Sequence, residues 1–343
     1  MAVAVTGIKP TGTPHLGNYL GMIRPALDIA SRTEAYYFIA DAHALTTVRD
    51  GRRLRESTYG VAATWVALGL DPSRTALYRQ SDIPEVFELA WILSCATPKG
   101  LLNRAHAYKA AVQANQAAGR DPDSGVNAGL YGYPVLMAAD ILLPGADLVP
   151  VGLDQRQHVE IARDVAVAFN AVYGDVVTLP EAVIDERVMT IPGTDGRKMS
   201  KSYDNVIPVL GSPEEIRASV MRIVTDSRRP EEPKDPEQDS IFRIYRLVAP
   251  PDAAASMAND YDRGGLSYAE AKRRLIDCVV ETFREARNRY LTLLTHHEKL
   301  EDVLRAGANR VRSRATEVLD RVRAAVYGRN EPRVETPRVN NGP

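Results

Sequence analysis

The chain has 343 residues, enough for about two domains and a sizeable buried core. Hydrophobic residues make up 45% of it and charged residues 25%, the composition of a globular enzyme and not of a fibrous or disordered chain. The formal net charge of -1 excludes a chain that is basic throughout, so any contact with nucleic acid has to come from a local basic face.

Val3-Ala4-Val5 is a short apolar run closed by Thr6-Gly7, the pattern of a buried parallel strand. A Pro/Gly loop follows from Lys9 to Pro14. Leu16, Leu20, Ile23 and Leu27 then recur at helical spacing, with Pro25 inside the pattern, which predicts a kink there. Tyr36 to Ala40 reads as a second strand closed by Asp41 and His43. A helix runs on to Leu70, a third strand covers Thr75 to Tyr78, and Pro84 opens a helix through Cys95. Ala146 to Val151 is another strand, and Asp154 to Tyr173 is helical. Strands alternating with helices imply a parallel sheet with crossover helices, a Rossmann-like α/β domain over 1–210 whose ligands bind at the carboxyl ends of the strands.

From Ser212 the pattern is helical only. Ser212 with Glu215, and Ser267 with Glu270, have the spacing of capping boxes. Asp226 to Ser240 is charged and proline-rich and reads as a mobile loop. Long helical patterns cover Ser267 to Leu294 and His296 to Tyr327, which completes an all-helical C-terminal domain over 211–328. Residues 329–343 hold three prolines and few apolar side chains and read as a disordered tail. No leader pattern opens the chain, and no apolar run reaches the length of a membrane span. Cys95 and Cys278 read as buried free thiols, as in a reducing cytoplasm.

Three constellations carry chemistry. His15-Leu16-Gly17-Asn18 opens a helix after a strand and a Pro/Gly loop, where unpaired N–H groups favour phosphate and a histidine can donate to a phosphoryl oxygen. Gly17 leaves space for a flat base against the backbone. Lys198-Met199-Ser200-Lys201-Ser202 places two lysines three apart in a glycine-bearing loop that can wrap a triphosphate and stabilise departing pyrophosphate. Tyr133, Met137 and Asp140 stand at i, i+4 and i+7, on one face of a helix that is otherwise apolar. A single carboxylate beside a thioether suits indole, which has an apolar body and one N–H donor. No His, Cys and carboxylate cluster has zinc spacing.

The first two motifs, in this order and separation, resemble the paired motifs of class I aminoacyl-tRNA synthetases. The segment Tyr133 to Leu143 resembles the tryptophan-binding helix of the tryptophanyl-tRNA synthetases. So do Thr6 to Gly12, Ile39 to Thr46 and Asp147 to Gln155, and the likeness covers about Val5 to Thr225. The resemblance implies a two-step reaction: tryptophan is activated by ATP with Mg²⁺, then transferred to tRNA(Trp) by a cytoplasmic homodimer. It implies that His15, Lys198 and Lys201 are catalytic and that Asp140 reads the indole N–H, with Met137, Tyr133, His43, Gln155 and Val5 around it. It places ATP against Lys9, Pro10, Thr11, Gly17, Asn18, Gly152, Leu153, Asp154 and Val188, and against Lys198, Met199, Ser200, Lys201 and Ser202.

Tyrosyl-tRNA synthetases share the fold and motifs. A phenol O–H both donates and accepts, however, whereas ionised Asp140 only accepts. A paralogue that senses tryptophan, or makes an adenylate without charging tRNA, is the other alternative. Four positions depart from the commonest family pattern: Lys9 for glutamine, Leu153 for glutamate, Arg156 for lysine, and Ala111 for a second lysine after Lys109. They suggest that one positive charge has moved from position 111 to position 9. The arginines at 284, 287, 289, 310, 312, 314, 321 and 323 are candidates for a tRNA-gripping face on the helical domain.

Overall fold

A computed structural model of the chain describes residues 1–184 and 191–328. Val188 and the tail over 329–343 lie outside them. Five parallel strands form one sheet: β1 (Val3–Ile8), β2 (Glu34–Ile39), β3 (Ala76–Arg79), β4 (Leu148–Pro150) and β5 (Glu181–Val183), in the order β3-β2-β1-β4-β5. β1 pairs with β2 over its whole length, from Val3 against Glu34 to Ile8 against Ile39. The chain builds outward from β1 in one direction and then returns to add β4 on its other side. The carboxyl ends of β1 and β4 therefore flank the crevice where such sheets bind ligands. The apolar runs anticipated four of the five strands. β5 has only three residues and left no pattern to read.

Buried side chains fill both faces of the sheet. Leu16, Tyr37 and Trp65 belong to one core, and Val5, Phe38 and Phe169 to the other. The helical remainder starts as anticipated. Ser212 Oγ accepts from Glu215 N at 3.2 Å and the Glu215 carboxylate accepts from Ser212 N at 2.8 Å, a complete capping box ahead of Pro213–Met221. The second box is only half formed. Ser267 accepts from Glu270 N, but the Glu270 carboxylate turns to Arg273 and Arg274. The helical pattern over Ser267 to Leu294 is two helices, Tyr268–Thr282 and Arg284–Thr295, joined at Phe283.

Two expectations are corrected here. The segment Asp226 to Ser240 is tied down. Lys234 is only 3% exposed, and its ammonium donates to the carbonyls of Arg229, Pro230 and Glu232 at 3.0–3.2 Å, above the ring of Tyr268. Charge and proline content signal a loop but cannot reveal a lysine that turns inward and satisfies the loop's own carbonyls. The cysteines differ as well. Cys95 is exposed and Cys278 half-buried, because Cys95 lies on the outer side of the helix Glu85–Ala96 in line with exposed Phe87 and Trp91.

The last helix, His297–Tyr327, returns to the sheet and covers its edge at β3. Leu300 and Leu304 join the first core, and Val311, Ala315 and Leu319 join the second. Gly307 lies between them, where an added Cβ would come within 2.0 Å of the Leu77 carbonyl oxygen. Gly307→Ala is therefore expected to destabilise the fold by about 2–3 kcal/mol, read as a lower urea midpoint. An unchanged midpoint would mean that the helix is not seated on β3.

The same docking accounts for four of the eight candidate tRNA arginines, and other partners account for three more. Arg310 donates to the Pro72 carbonyl at 2.8 Å, Arg314 to that of Pro144 at 2.7 Å, and Arg312 to that of Asp82. Arg323 binds Glu88, Arg287 is buried against the Gly211 carbonyl, and Arg284 and Arg289 pair with Glu281 and Glu285 on their own helical stretch. Helical periodicity revealed a basic face but not the strand and helix ends that it meets. Arg321 alone of the eight is exposed with no partner among the described residues.

Candidate active site

A cavity of about 870 Å³ opens at the carboxyl ends of β1 and β4. On one wall, His15 and Asn18 cap each other. Asn18 N donates to His15 Nδ1 at 3.3 Å, and Asn18 Oδ1 accepts from His15 N at 3.1 Å. The spacing H-x-x-N is thus a capping box in which an imidazole takes the place of a hydroxyl. The helix continues through a π-turn at Tyr19–Ile23 into Arg24–Ala30, so the irregularity expected at Pro25 falls in the five residues before the α-helix it opens. Because His15 Nδ1 accepts, its proton sits on Nε2. Burial, and then Lys201, push the His15 pKa down from 6.5 to about 4, so the ring is a neutral donor at physiological pH. Stability held above pH 6.5 by keeping this ring neutral is lost as the pH falls toward 4.

The lysine loop lies against this wall. Leu16 N donates to the Ile207 carbonyl at 2.8 Å, and Gly17 N donates to Met199 Sδ at 3.2 Å. A Cβ on Gly17 would press on Met199 Sδ and on the His15 ring, so the glycine is needed for this closure as well as for a base. Lys201 Nζ donates to the Gly12 carbonyl at 2.9 Å, and Lys198 Nζ to Asp154 Oδ1 at 2.9 Å. Asn205 shapes the loop from behind. It is 1% exposed, accepts from Ser200 N at 2.7 Å and donates to the Lys198 carbonyl at 3.1 Å. Motif reading stopped at Ser202 and missed it.

Ser200 and Ser202 line the same end of the cavity, as do Thr11, Gly152, Leu153 and Asp154. Pro10 is buried behind the lining. Lys9 lines the cavity too, with Nζ on Thr46 Oγ1 at 3.0 Å and its pKa lowered by burial. Ala111 is not among the lining residues. Among the described residues Asp154 is the only acid that lines the cavity, and no group of three or more His, Cys, Asp or Glu is placed to hold a metal ion.

The other end of the cavity is apolar and aromatic, with Val5, His43, Tyr133, Met137 and Gln155 in its wall. The helix Ala128–Leu142, capped by Asn127, carries Tyr133 and Met137. Asp140 follows on the same helix but lies one layer deeper, 2% exposed. Its carboxylate accepts from His43 Nε2 at 2.9 Å and from Gln80 Nε2, which reaches both oxygens at 2.8–2.9 Å. Burial raises the Asp140 pKa, while the bonds from His43 and Gln80 act against the rise. Tyr133 is fixed by His158, its hydroxyl 2.6 Å from Nε2. Gln80 was missed, although it closes β3 at a strand carboxyl end, the place where such folds put their sites.

A parallel sheet, a self-capped histidine at a helix start and a lysine loop closed over it define a class I aminoacyl-tRNA synthetase site. Residues 2–284 match the family model described as tRNA synthetases class I (W and Y). The chain is 52% identical over 328 residues to a tryptophan–tRNA ligase of Pseudomonas aeruginosa, covering 94% of this chain and 73% of that one. It is 50% identical to the tryptophan–tRNA ligase of Neisseria meningitidis over 94% of this chain and 96% of the other. Its fold is similar to that of tryptophanyl-tRNA synthetase from Campylobacter jejuni complexed with ADP and tryptophan, with a TM-score of 0.84 and 42% identity over 94% and 98% of the two chains. Within the class I synthetases, the chain belongs to the tryptophan–tRNA ligase family.

Proposed function

We propose that the chain activates tryptophan with ATP and transfers it to tRNA(Trp), on one site that runs from the lysine loop to Asp140. The observation that carries this reading is one cavity with Lys198 and Lys201 at one end, Lys9 in its wall, and His43, Tyr133 and Met137 around a buried carboxylate at the other. A tryptophan carboxylate oxygen attacks the α-phosphorus, the bond from that phosphorus to the bridging oxygen breaks, and pyrophosphate leaves. No residue of the chain becomes acylated or phosphorylated. Neutral His15 donates from Nε2 to a phosphoryl oxygen, while Lys198 and Lys201 exchange their present acceptors, Asp154 and Gly12, for the departing charge. Mg²⁺ enters as part of the ATP substrate, held by the phosphates. A terminal adenosine hydroxyl of tRNA, the 2′-OH by family analogy, then attacks the adenylate carbonyl carbon; the bond from that carbon to the phosphate oxygen breaks, AMP leaves, and the hydroxyl proton is given up to water.

On this reading 1–210 is the catalytic domain and 211–328 the helical domain that meets tRNA, its last helix seated on β3. The enzyme works as a homodimer, which the exposed row of Phe87, Trp91 and Cys95 supports, being 42% and 71% exposed at the two aromatics. It works in the cytoplasm, where tRNA is charged and free thiols persist. The test is to measure adenylate formation without tRNA and charging with it. Adenylate without any charging of tRNA(Trp) would overturn the second step.

Lys9 supplies a third cation in place of the missing lysine at 111. Its support is that Lys9 lines the cavity, with its ammonium on Thr46, whereas Ala111 does not line it. Lys9→Gln is expected to slow single-turnover adenylate formation by a few kcal/mol of barrier, and Ala111→Lys in the same chain to restore part of it. A harmless Lys9→Gln, or additive effects, would show that Lys9 does not stand in for a lysine at 111.

A further inference from the structure

The turn that ends β3 sets two neighbouring side chains on two buried carboxylates. Ser81 N donates to Asp41 Oδ1 at 3.0 Å, and its hydroxyl is bonded to Asp41 Oδ2. Gln80, fully buried, donates from Nε2 to Asp140 Oδ1 at 2.9 Å and Oδ2 at 2.8 Å, while its Oε1 accepts from His43 N at 3.3 Å. Gln80 thus joins the helix that carries Asp140 to the segment that carries His43, and it lines no part of the cavity itself.

We propose that Gln80 is a specificity-determining positioning residue, whose amide holds the Asp140 carboxylate fixed and ionised as the acceptor for the indole N–H of tryptophan. A carboxylate offers about four lone-pair sites, and two donor nitrogens, His43 Nε2 and Gln80 Nε2, are bonded to it among the described residues, so acceptor capacity remains for an incoming N–H. An amide is the right group for this. A lysine or arginine at 80 would cancel the charge that attracts the N–H, and an apolar residue would leave the buried charge short of donors. Losing Gln80 would leave only His43 to oppose the uptake of a proton by Asp140. Burial already raises its pKa, and the nearby charge of Asp41 raises it further. The protonated acid would then present a donor to another donor.

The proposal rests on Asp140 being the indole reader, and the test separates the two claims. Pyrophosphate exchange is measured with tryptophan and with β-(1-benzothiophen-3-yl)alanine, which has the same shape with sulfur in place of N–H. Wild type is expected to prefer tryptophan. In Gln80→Met, kcat/KM for tryptophan is expected to fall about tenfold to a hundredfold while the value for the analogue stays unchanged. In an Asp140→Asn background the same change is expected to leave the ratio where it was, because Gln80 acts only through Asp140. Should Gln80→Met not accumulate as folded protein, Gln80→Glu keeps the volume, and the ratio is expected to fall in it too. A preference that survives these changes, or an equal loss for both substrates, overturns the role of Gln80. A wild-type enzyme that takes both amino acids equally overturns the reading of Asp140 itself.

Discussion

Replacing Lys201 by alanine is expected to slow adenylate formation by about a hundredfold to a thousandfold, the usual effect of removing one preorganised donor from a site of developing charge. The ammonium lies across the mouth of the phosphate end, bonded to the Gly12 carbonyl, a neutral acceptor that a phosphate displaces readily. It is an exposed residue, yet the protein around its ammonium strips away enough water to lower its pKa. It is also one of the causes that hold His15 neutral. Its loss removes a cation from the leaving group and at the same time lets the His15 pKa rise toward its ordinary value. The effect should fall on the chemical step, so single-turnover kinetics at saturating ATP is the measurement, with tryptophan affinity in the absence of ATP unchanged. A rate within a few-fold of wild type would show that Lys201 does not meet the phosphates during the reaction.

Asp140→Ala is expected to cost about 2–3 kcal/mol in kcat/KM for tryptophan. The substitution removes the charged acceptor of a buried N–H and also orphans His43 and Gln80, which now spend their donors on that carboxylate. Because the site is buried, part of any loss could come from a disturbed fold. The ratio of tryptophan to tyrosine use is therefore the informative quantity, and it should collapse. A preference for tryptophan that persists in a folded Asp140→Ala protein would make the aspartate a structural residue only.

Much of the site was legible in the sequence because it is written in local spacing. The H-x-x-N string is a capping box, and such a box forms from four consecutive residues whatever surrounds it. Tyr133, Met137 and Asp140 share a face because helical periodicity puts them there. What spacing does not carry is the partner across the fold. Nothing around Gln80 says that its amide meets a helix 60 residues downstream, and nothing in Lys198 to Ser202 says that Asn205 holds the loop from behind. The arginines of the last helix show the same limit. Their periodicity is real, but their targets are the carbonyls at Pro72, Asp82 and Pro144, which only the folded chain brings to them.

The central claim is that one cavity joins a phosphate-binding end to an indole-reading end. ATP–pyrophosphate exchange with each of the twenty standard amino acids in turn tests it most directly, since exchange requires both ends to act on one substrate pair. Tryptophan is expected to support exchange far better than any other, with tyrosine and phenylalanine well below it. A higher kcat/KM for tyrosine than for tryptophan would contradict the assignment of Asp140, and exchange with no amino acid would contradict the site as a whole.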